Sequence, residues 1–458
     1  MKTTIVALPF ILSVILASSC ARAMAFPPDR GRTQEIQLDG RLNCPYISHR
    51  GGTAYLQVAV TTWGFHVQDR RPMNIAVVLD RSGSMAEEGK INNAKAALYS
   101  LINQLRGEDI LSIVVYDDVI DVLRSAKRVG NDKETLRRLV EEVYPRGWTN
   151  LGGGMLEGLQ QVERNLGKEY VNRVILLSDG LANRGITDPA ELHRIVTRYR
   201  AKCISLTTMG VGLDYNENLM VGLSQYGGGN YYFIESSRDL ASMLQKEFNK
   251  LSSVIAQNAS LEVTLGKNVT LRDVIGCEYR MEDGRLRIPV GDLYASDRRE
   301  LTLELNIPPR QEGWFGGRSS LTVARGRLHY ESELVHSDSY PSFTVAVHYT
   351  TDAAEVEKNR DWDTQAKADV SVSTRTVERA MKALDEGKQE EAAKELDVAR
   401  QSLNQSPAAQ LNSPAGAAVR EQENKIRSYA DVVKDSTSDA RRMKKSIQYD
   451  NYRTQRNK

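Results

Sequence analysis

"VVLDRSGSMAEEGK", residues 77–90, carries an apolar run into one Asp, two serines and two glycines. Asp80, Ser82 and Ser84 occupy alternate positions where the run stops. An unbroken apolar stretch of this length reads as a strand buried on both faces. The glycine- and serine-rich segment after it reads as a loop. A phosphate-binding loop is excluded. That pattern needs Gly, four residues, then Gly-Lys-Ser/Thr, so that successive N–H groups cradle phosphates and the hydroxyl reaches Mg²⁺. Here five residues separate Gly83 from Gly89-Lys90, and Ile91 replaces the hydroxyl residue.

Outward from this stretch the chain alternates. The apolar runs "MNIAVVLD", "ILSIVVYDD", "VNRVILLSD", "CISLTTMGVG" and "NYYFIE" are separated by helical patterns, among them 91–105, 153–166, 189–201 and 237–252. β-branched runs with helices between them predict an α/β unit with a doubly wound, mostly parallel sheet. "VIDVLRSAK" (119–127), close behind the second run, reads as a short antiparallel edge.

After about residue 253 the period changes to two. Leu261, Val263 and Leu265 alternate with polar residues, as do Leu286, Ile288 and Val290, then Leu301, Leu303, Leu305 and Ile307, then Phe343, Val345, Val347 and Tyr349. This predicts antiparallel strands with one buried face, packed as a β-sandwich. "YLQVAVTTW" (55–63) is a lone strand before the α/β unit and is expected to pair with the later sheet. The last hundred residues turn helical. Val377, Met381 and Leu384 form one stripe, Ala392, Leu396, Ala399 and Leu403 a second, and Gly387 the turn between them. The expected division is a leader over 1–25, an N-terminal β segment over 26–70 belonging to the sandwich, the α/β domain over 71–252, the sandwich over 253–350 and a helical region over 351–458. The C-terminus is rich in Lys and Arg. It reads as a solvated tail, with attraction to acidic lipid or a polyanion as the other reading.

The 458 residues hold 61 basic and 59 acidic side chains. So even a balance gives no global field for nucleic acid or a membrane surface. "MKTTIVALPFILSVILASSCARAMAF" has one Lys, a short apolar core and then small residues, the layout of a secretory signal peptide. The chain is therefore expected to be exported: periplasmic, extracellular or anchored by lipid. Ala23-Met24-Ala25 suits cleavage before Phe26, whereas "LASSC" resembles a bacterial lipoprotein signal in which Cys20 becomes the lipidated first residue. Cys44, Cys203 and Cys277 remain. They form no zinc spacing, and whether Cys44 and Cys277 pair is open from sequence.

In open doubly wound sheets, ligands bind at the carboxyl ends of strands, where strand order reverses. Asp80 ends one apolar run and Asp179, in "ILLSDGLANRG", ends another. Carboxylates with hydroxyls are an oxygen-only donor set that suits a hard cation. Asp80-x-Ser82-x-Ser84 at a strand end resembles the metal-ion-dependent adhesion site of the von Willebrand factor A domain. That resemblance implies two further ligands: a Thr from a Gly-rich loop, matched by Thr149 in "RGWTNLGGGM", and an Asp from a later strand, matched by Asp179. It covers roughly residues 50–310. "NRVILLSDGLANRGITD", "LTTMGVGLDYNENLM" and "GGGNYYFIESSRDLASML" look like bacterial exported proteins of this type, which are often labelled homologues of calcium-activated chloride channels. The resemblance implies Mg²⁺, with Mn²⁺ or Ca²⁺ as alternatives, and a protein partner whose exposed Asp or Glu completes the coordination. Arg81 and Trp148 are departures expected to shape the rim that meets the partner.

Two rival classes stand beside a non-enzymatic binding module. A metal-dependent hydrolase needs a general base near the metal. The six histidines (49, 66, 193, 329, 336 and 348) lie outside the expected metal loops, leaving Asp117 and Asp118 as the nearby carboxylates. The third class is a purely structural metal site.

Overall fold

The computed structural model describes residues 36–63, 70–310, 319–332, 340–434 and 440–456. The leader segment 1–25 and Cys20 lie outside these residues. Three strands come first: β1 (Ile36–Leu42), β2 (Tyr46–Ser48) and β3 (Gly52–Thr62). An α/β unit follows, in the order β4 (Met73–Asp80), α1 (Lys90–Gln104), β5 (Ile110–Tyr116), β6 (Ile120–Arg128), α2 (Lys133–Glu141), α3 (Leu151–Glu163), β7 (Val171–Ser178), α4 (Pro189–Arg200), β8 (Ser205–Val211), α5 (Glu217–Tyr226), β9 (Gly228–Ile234) and α6 (Leu240–Ser252).

These strands form one six-stranded sheet in the order β6-β5-β4-β7-β8-β9. It is parallel throughout, except that β6 runs antiparallel to β5 at the edge. The unbroken apolar character of β4 has a direct cause. Ile75, Val77 and Leu79 enter a core shared with α1, α2 and α6, while Ala76 and Val78 enter the opposite core, shared with α3, α4 and α5. From β4 the chain first builds outward to β5 and β6, then returns to lay β7 on the other side. The carboxyl ends of β4 and β7 are therefore the point where strand order reverses, and Asp80 and Asp179 sit there.

Helix α3 reaches this point by pressing closely on the sheet. A Cβ at Gly158 would lie 2.3 Å from Val78 Cγ2, and one at Gly154 2.6 Å from the Tyr116 ring. Only glycine permits that approach, which fixes the height of the loop carrying Thr149.

The remaining strands are β10 (Val254–Leu265), β11 (Thr270–Ile275), β12 (Arg280–Glu282), β13 (Arg285–Tyr294), β14 (Arg298–Ile307), β15 (Ser320–Glu331) and β16 (Ser342–Thr350). With the first three they form two sheets, β1-β3-β14-β11 and β12-β13-β10-β15-β16-β2. The two sheets share one core, which includes Leu56, Val58, Leu261, Val263, Leu303 and Val323. The strand 52–62 lies antiparallel against Arg298–Ile307. Cys44, Cys203 and Cys277 are free thiols, so Cys44 and Cys277 do not pair.

Helices α7 (Ala353–Lys358), α8 (Trp362–Asp385), α9 (Gln389–Gln405), α10 (Pro414–Lys434) and α11 (Ala440–Gln455) complete the chain. Helix α8 lies against the outer face of the first sheet, where Arg375 bonds Asp273 and Glu304 at 2.9 Å each and Thr302 meets Ser371 at 2.8 Å. This cover buries Gln57, Thr302 and Glu304, positions that a one-faced reading leaves in solvent.

The basic C-terminus departs from the solvated-tail reading. Lys445 is 2% exposed and bonds Glu217 at 2.6 Å and the Tyr215 carbonyl at 2.7 Å. Lys444 also pairs with Glu217, and Tyr449 and Tyr452 stack edge-on against Tyr231. Lys444 and Lys445 thus find a carboxylate of the α/β unit, a pairing invisible in a local reading of charge, while Arg441 and Arg442 stay exposed. Among the described residues no helix is long and apolar enough to cross a membrane.

Where the α/β unit meets the sandwich, an ionic network is wholly buried. Arg173 on β7 pairs with Asp292 on β13 at 2.6 Å, and Glu247 on α6 lies 3.7 Å from the same guanidinium. Thr207, Asn230 and Tyr232 each donate to Glu247.

Candidate functional site

Asp80 is the last residue of β4 and is 0% exposed. One of its carboxylate oxygens accepts the Ser82 N–H at 2.8 Å, which turns the chain into the loop. The other accepts Ser178 Oγ at 2.7 Å and Tyr116 Oη at 3.2 Å. Ser82 Oγ and Ser84 Oγ are 3.2 Å apart, and Ser84 Oγ donates to Asp179 Oδ1 at 2.8 Å. Asp179, also 0% exposed, binds Lys90 Nζ through its second oxygen at 2.8 Å.

Thr149 enters from the loop before α3. Its N–H donates to Asn183 Oδ1 at 3.0 Å, and its carbonyl accepts the Asn183 N–H at 3.2 Å. The Thr149 loop and the loop after β7 are thereby clasped together. Gly180 lies between the hydroxyls: a Cβ there would stand 3.2 Å from Thr149 Oγ1 and 3.7 Å from Ser84 Oγ. The structure therefore brings Asp80, Ser82, Ser84, Thr149 and Asp179 to one place at the carboxyl edge of the sheet.

The electrostatics of this cluster suit a cation. Burial, and then the nearby Asp179 charge, push the Asp80 carboxyl up to about 6. Two dry carboxylates with hydroxyl oxygens beside them form a donor set matched to Mg²⁺ or a similar hard ion. Among the described residues no group of three His, Cys, Asp or Glu side chains could hold a metal. A cation at these loops would thus draw on hydroxyl oxygens as well as carboxylates. Lys90 supplies positive charge on one side. Burial pulls its ammonium down, but the hydrogen bond and charge of Asp179 outweigh this and hold it above the usual lysine range.

Trp148 and Arg81 are placed differently. Trp148 is 57% exposed beside Thr149, with the Arg184 guanidinium 5.4 Å from its ring centre. Val119 and Leu181, on the adjoining loops, are also exposed. Arg81 lies beneath the rim, 6% exposed, with its guanidinium paired to Asp117 at 2.7 Å and to Asp121. Asp117 also holds Arg146 at 2.6 Å. Burial acts to raise the Asp117 carboxyl, but the hydrogen bonds from Arg146 and Arg81 prevail and keep it below the ordinary aspartate range. So clamped, it is a poor general base.

Three side chains in the cluster were not singled out from sequence. Ser178 and Tyr116 each stand one position before a noted Asp, and Lys90 closes the stretch quoted first. Their only signal was adjacency. Each side chain reaches the site through strand pairing or the turn of α1, which a linear reading does not contain.

Residues 74–246 match the von Willebrand factor type A domain family. YfbK of Escherichia coli (strain K12) is 29% identical over 241 residues, covering 51% of this chain and 42% of YfbK. The protein sll0103 of Synechocystis is 24% identical over 264 residues, 55% of this chain and 61% of that protein. The chain thus spans less than two thirds of either relative. The solved structure of von Willebrand factor type A from Catenulispora acidiphila aligns with a TM-score of 0.69 at 14% identity, over 93% of this chain and 98% of that one. At that identity the likeness is one of fold.

Proposed function

We propose that this chain, whose residues 74–246 match the von Willebrand factor type A domain family, is an exported, non-enzymatic binding protein that holds an acidic side chain of a partner protein through a divalent cation. Asp80, Ser82, Ser84, Thr149 and Asp179 would hold the ion, with Mg²⁺ as the first candidate and Mn²⁺ or Ca²⁺ as alternatives. The ion would supply positive charge that the protein's own oxygens leave unsatisfied. The observation that carries this reading is the meeting of two fully buried carboxylates and three hydroxyls at the strand-order reversal.

Several features support a protein ligand. The family often mediates contacts between proteins. Trp148, Val119 and Leu181 present apolar surface on the loops that surround the hydroxyls, and exposed aromatic and arginine side chains are typical anchors of protein interfaces. Arg184, stacked on Trp148, offers a cation to a second acidic group. Of the two carboxylates a hydrolytic reading could use as base, Asp117 is held by Arg81 and Arg146 and Asp118 lies exposed, 4.0 Å from Arg184. Export rests on the leader-like sequence of residues 1–25, with ordinary cleavage and lipidation at Cys20 as the two routes.

The test is capture from an envelope extract on immobilised protein, in Mg²⁺, in EDTA, and with Asp80→Ala plus Asp179→Ala in Mg²⁺. A protein retained only by wild type in Mg²⁺, and bound again after purification, supports the proposal. Equal capture under all three conditions contradicts it.

A further inference from the structure

Lys90 is an unusual neighbour for a cation site. It is 4% exposed and bound to Asp179 Oδ2, on the carboxylate whose other oxygen accepts Ser84 Oγ. Its stem passes the backbone that follows β8: a Cβ on Gly212 would stand 3.5 Å from Lys90 Cε and 3.7 Å from Nζ. Away from Asp179, the same side chain lines a cavity of about 410 Å³ shared with Glu87, Glu88, Asp214 and Glu235. Two residues of α11 also line this cavity, Arg441 pairing with Asp214 at 3.2 Å and Arg442 with Glu235 at 2.9 Å. Lys90 therefore stands between two acidic centres, one dry and one with room.

We infer that Lys90 is the resident cation of the metal-free site and yields Asp179 to a divalent ion by turning into this acidic cavity. The inference rests on the divalent-cation reading of the loops. Left alone, a buried carboxylate carries a large desolvation cost, and Lys90 offsets it for Asp179. An ammonium and a divalent ion on the same carboxylate repel strongly at such short range. A lysine ends in a compact charge on a flexible four-carbon stem, so it can change partners where carboxylates and space lie within reach. Glu87 and Asp214 already act on its charge. The receiving carboxylates include those that hold Arg441 and Arg442, so occupancy of the metal loops weakens the first turn of α11 on the rim. The deeper Lys445–Glu217 pair keeps the helix in place.

The experiment titrates Mn²⁺ into the full chain by electron paramagnetic resonance and maps Lys90 acylation by mass spectrometry, with and without Mn²⁺. Lys90→Met removes the internal competitor and is expected to tighten Mn²⁺ by about tenfold or more. Asp214→Asn with Glu235→Gln leaves the five site side chains intact and removes two receiving carboxylates; it is expected to weaken Mn²⁺ several-fold, and unchanged Mn²⁺ affinity in it overturns the inference even if Lys90→Met does not fold. In wild type, Lys90 should acylate slowly in EDTA and faster once Mn²⁺ is bound. Mn²⁺ uptake by wild type with unchanged or weaker uptake by Lys90→Met, or with Lys90 acylation indifferent to Mn²⁺, overturns this inference alone. Absence of Mn²⁺ uptake by wild type and Lys90→Met alike overturns the cation reading as well.

Discussion

Replacing Asp292 by Ala removes the 2.6 Å partner of a guanidinium that has no access to water. Leaving one member of a buried ion pair behind costs about 3–5 kcal/mol. Glu247 remains 3.7 Å from Arg173 and moderates that loss. The Ser205 hydroxyl and Asn258 N–H also lose Asp292 as acceptor, at about 1 kcal/mol each. The expected net destabilisation is therefore about 4 kcal/mol. Urea unfolding followed by circular dichroism measures it through the midpoint and slope. A second variant separates charge from packing. Arg173→Met with Asp292→Leu and Glu247→Gln removes all three charges of the network, and exchanging a buried ionic cluster for neutral groups of similar volume is often nearly neutral. The triple variant should recover most of the lost stability, ending within about 2 kcal/mol of wild type. A cost below about 1 kcal/mol for Asp292→Ala, or a triple variant as unstable as the single, refutes the view that this network joins α6 to the sandwich.

Other perturbations read out separate parts of the account. Gly158→Ala drives a methyl to 2.3 Å from Val78 Cγ2, and overpacking of this kind should cost about 1–3 kcal/mol in thermal unfolding. Trp148→Ala removes an exposed side chain, so stability should change by less than about 0.5 kcal/mol, while binding of the captured partner weakens at least tenfold in calorimetry. Burial acts to raise the Glu217 carboxyl, yet Lys444 and Lys445 hold it below the usual glutamate range. Its contribution is thus present above about pH 4.5 and lost as pH falls through the lower folded value. Amide exchange in 440–455 should rise in that acid window, and Glu217→Gln should raise it already at pH 7, with a loss of about 3 kcal/mol.

The parallel sheet was legible because a strand buried on both faces has no polar positions to break its apolar run, as in 75–79. The meeting of Asp80, Ser82 and Ser84 was legible because one strand end and its loop carry all three. Thr149 and Asp179 could be joined to them because an α/β sheet collects its carboxyl-end loops on one edge. Other contacts depend on distances that no local pattern encodes. Arg81 looks like a rim residue beside Ser82, but strand pairing sets it against Asp117 and Asp121, which bury it. Lys444 and Lys445 look solvated until the fold sets them on Glu217, whereas Arg441 and Arg442 stay exposed beside Asp214 and Glu235. Gln57 and Glu304 look exposed until α8 covers their sheet.

We propose that Asp80, Ser82, Ser84, Thr149 and Asp179 hold a divalent cation. Calorimetric titration of Mg²⁺ and Mn²⁺ into the full chain tests it most directly, with Asp80→Ala plus Asp179→Ala as the comparison. One site per chain is expected in wild type and none in the double variant. Equal binding by both proteins, or none by wild type at millimolar ion, contradicts it.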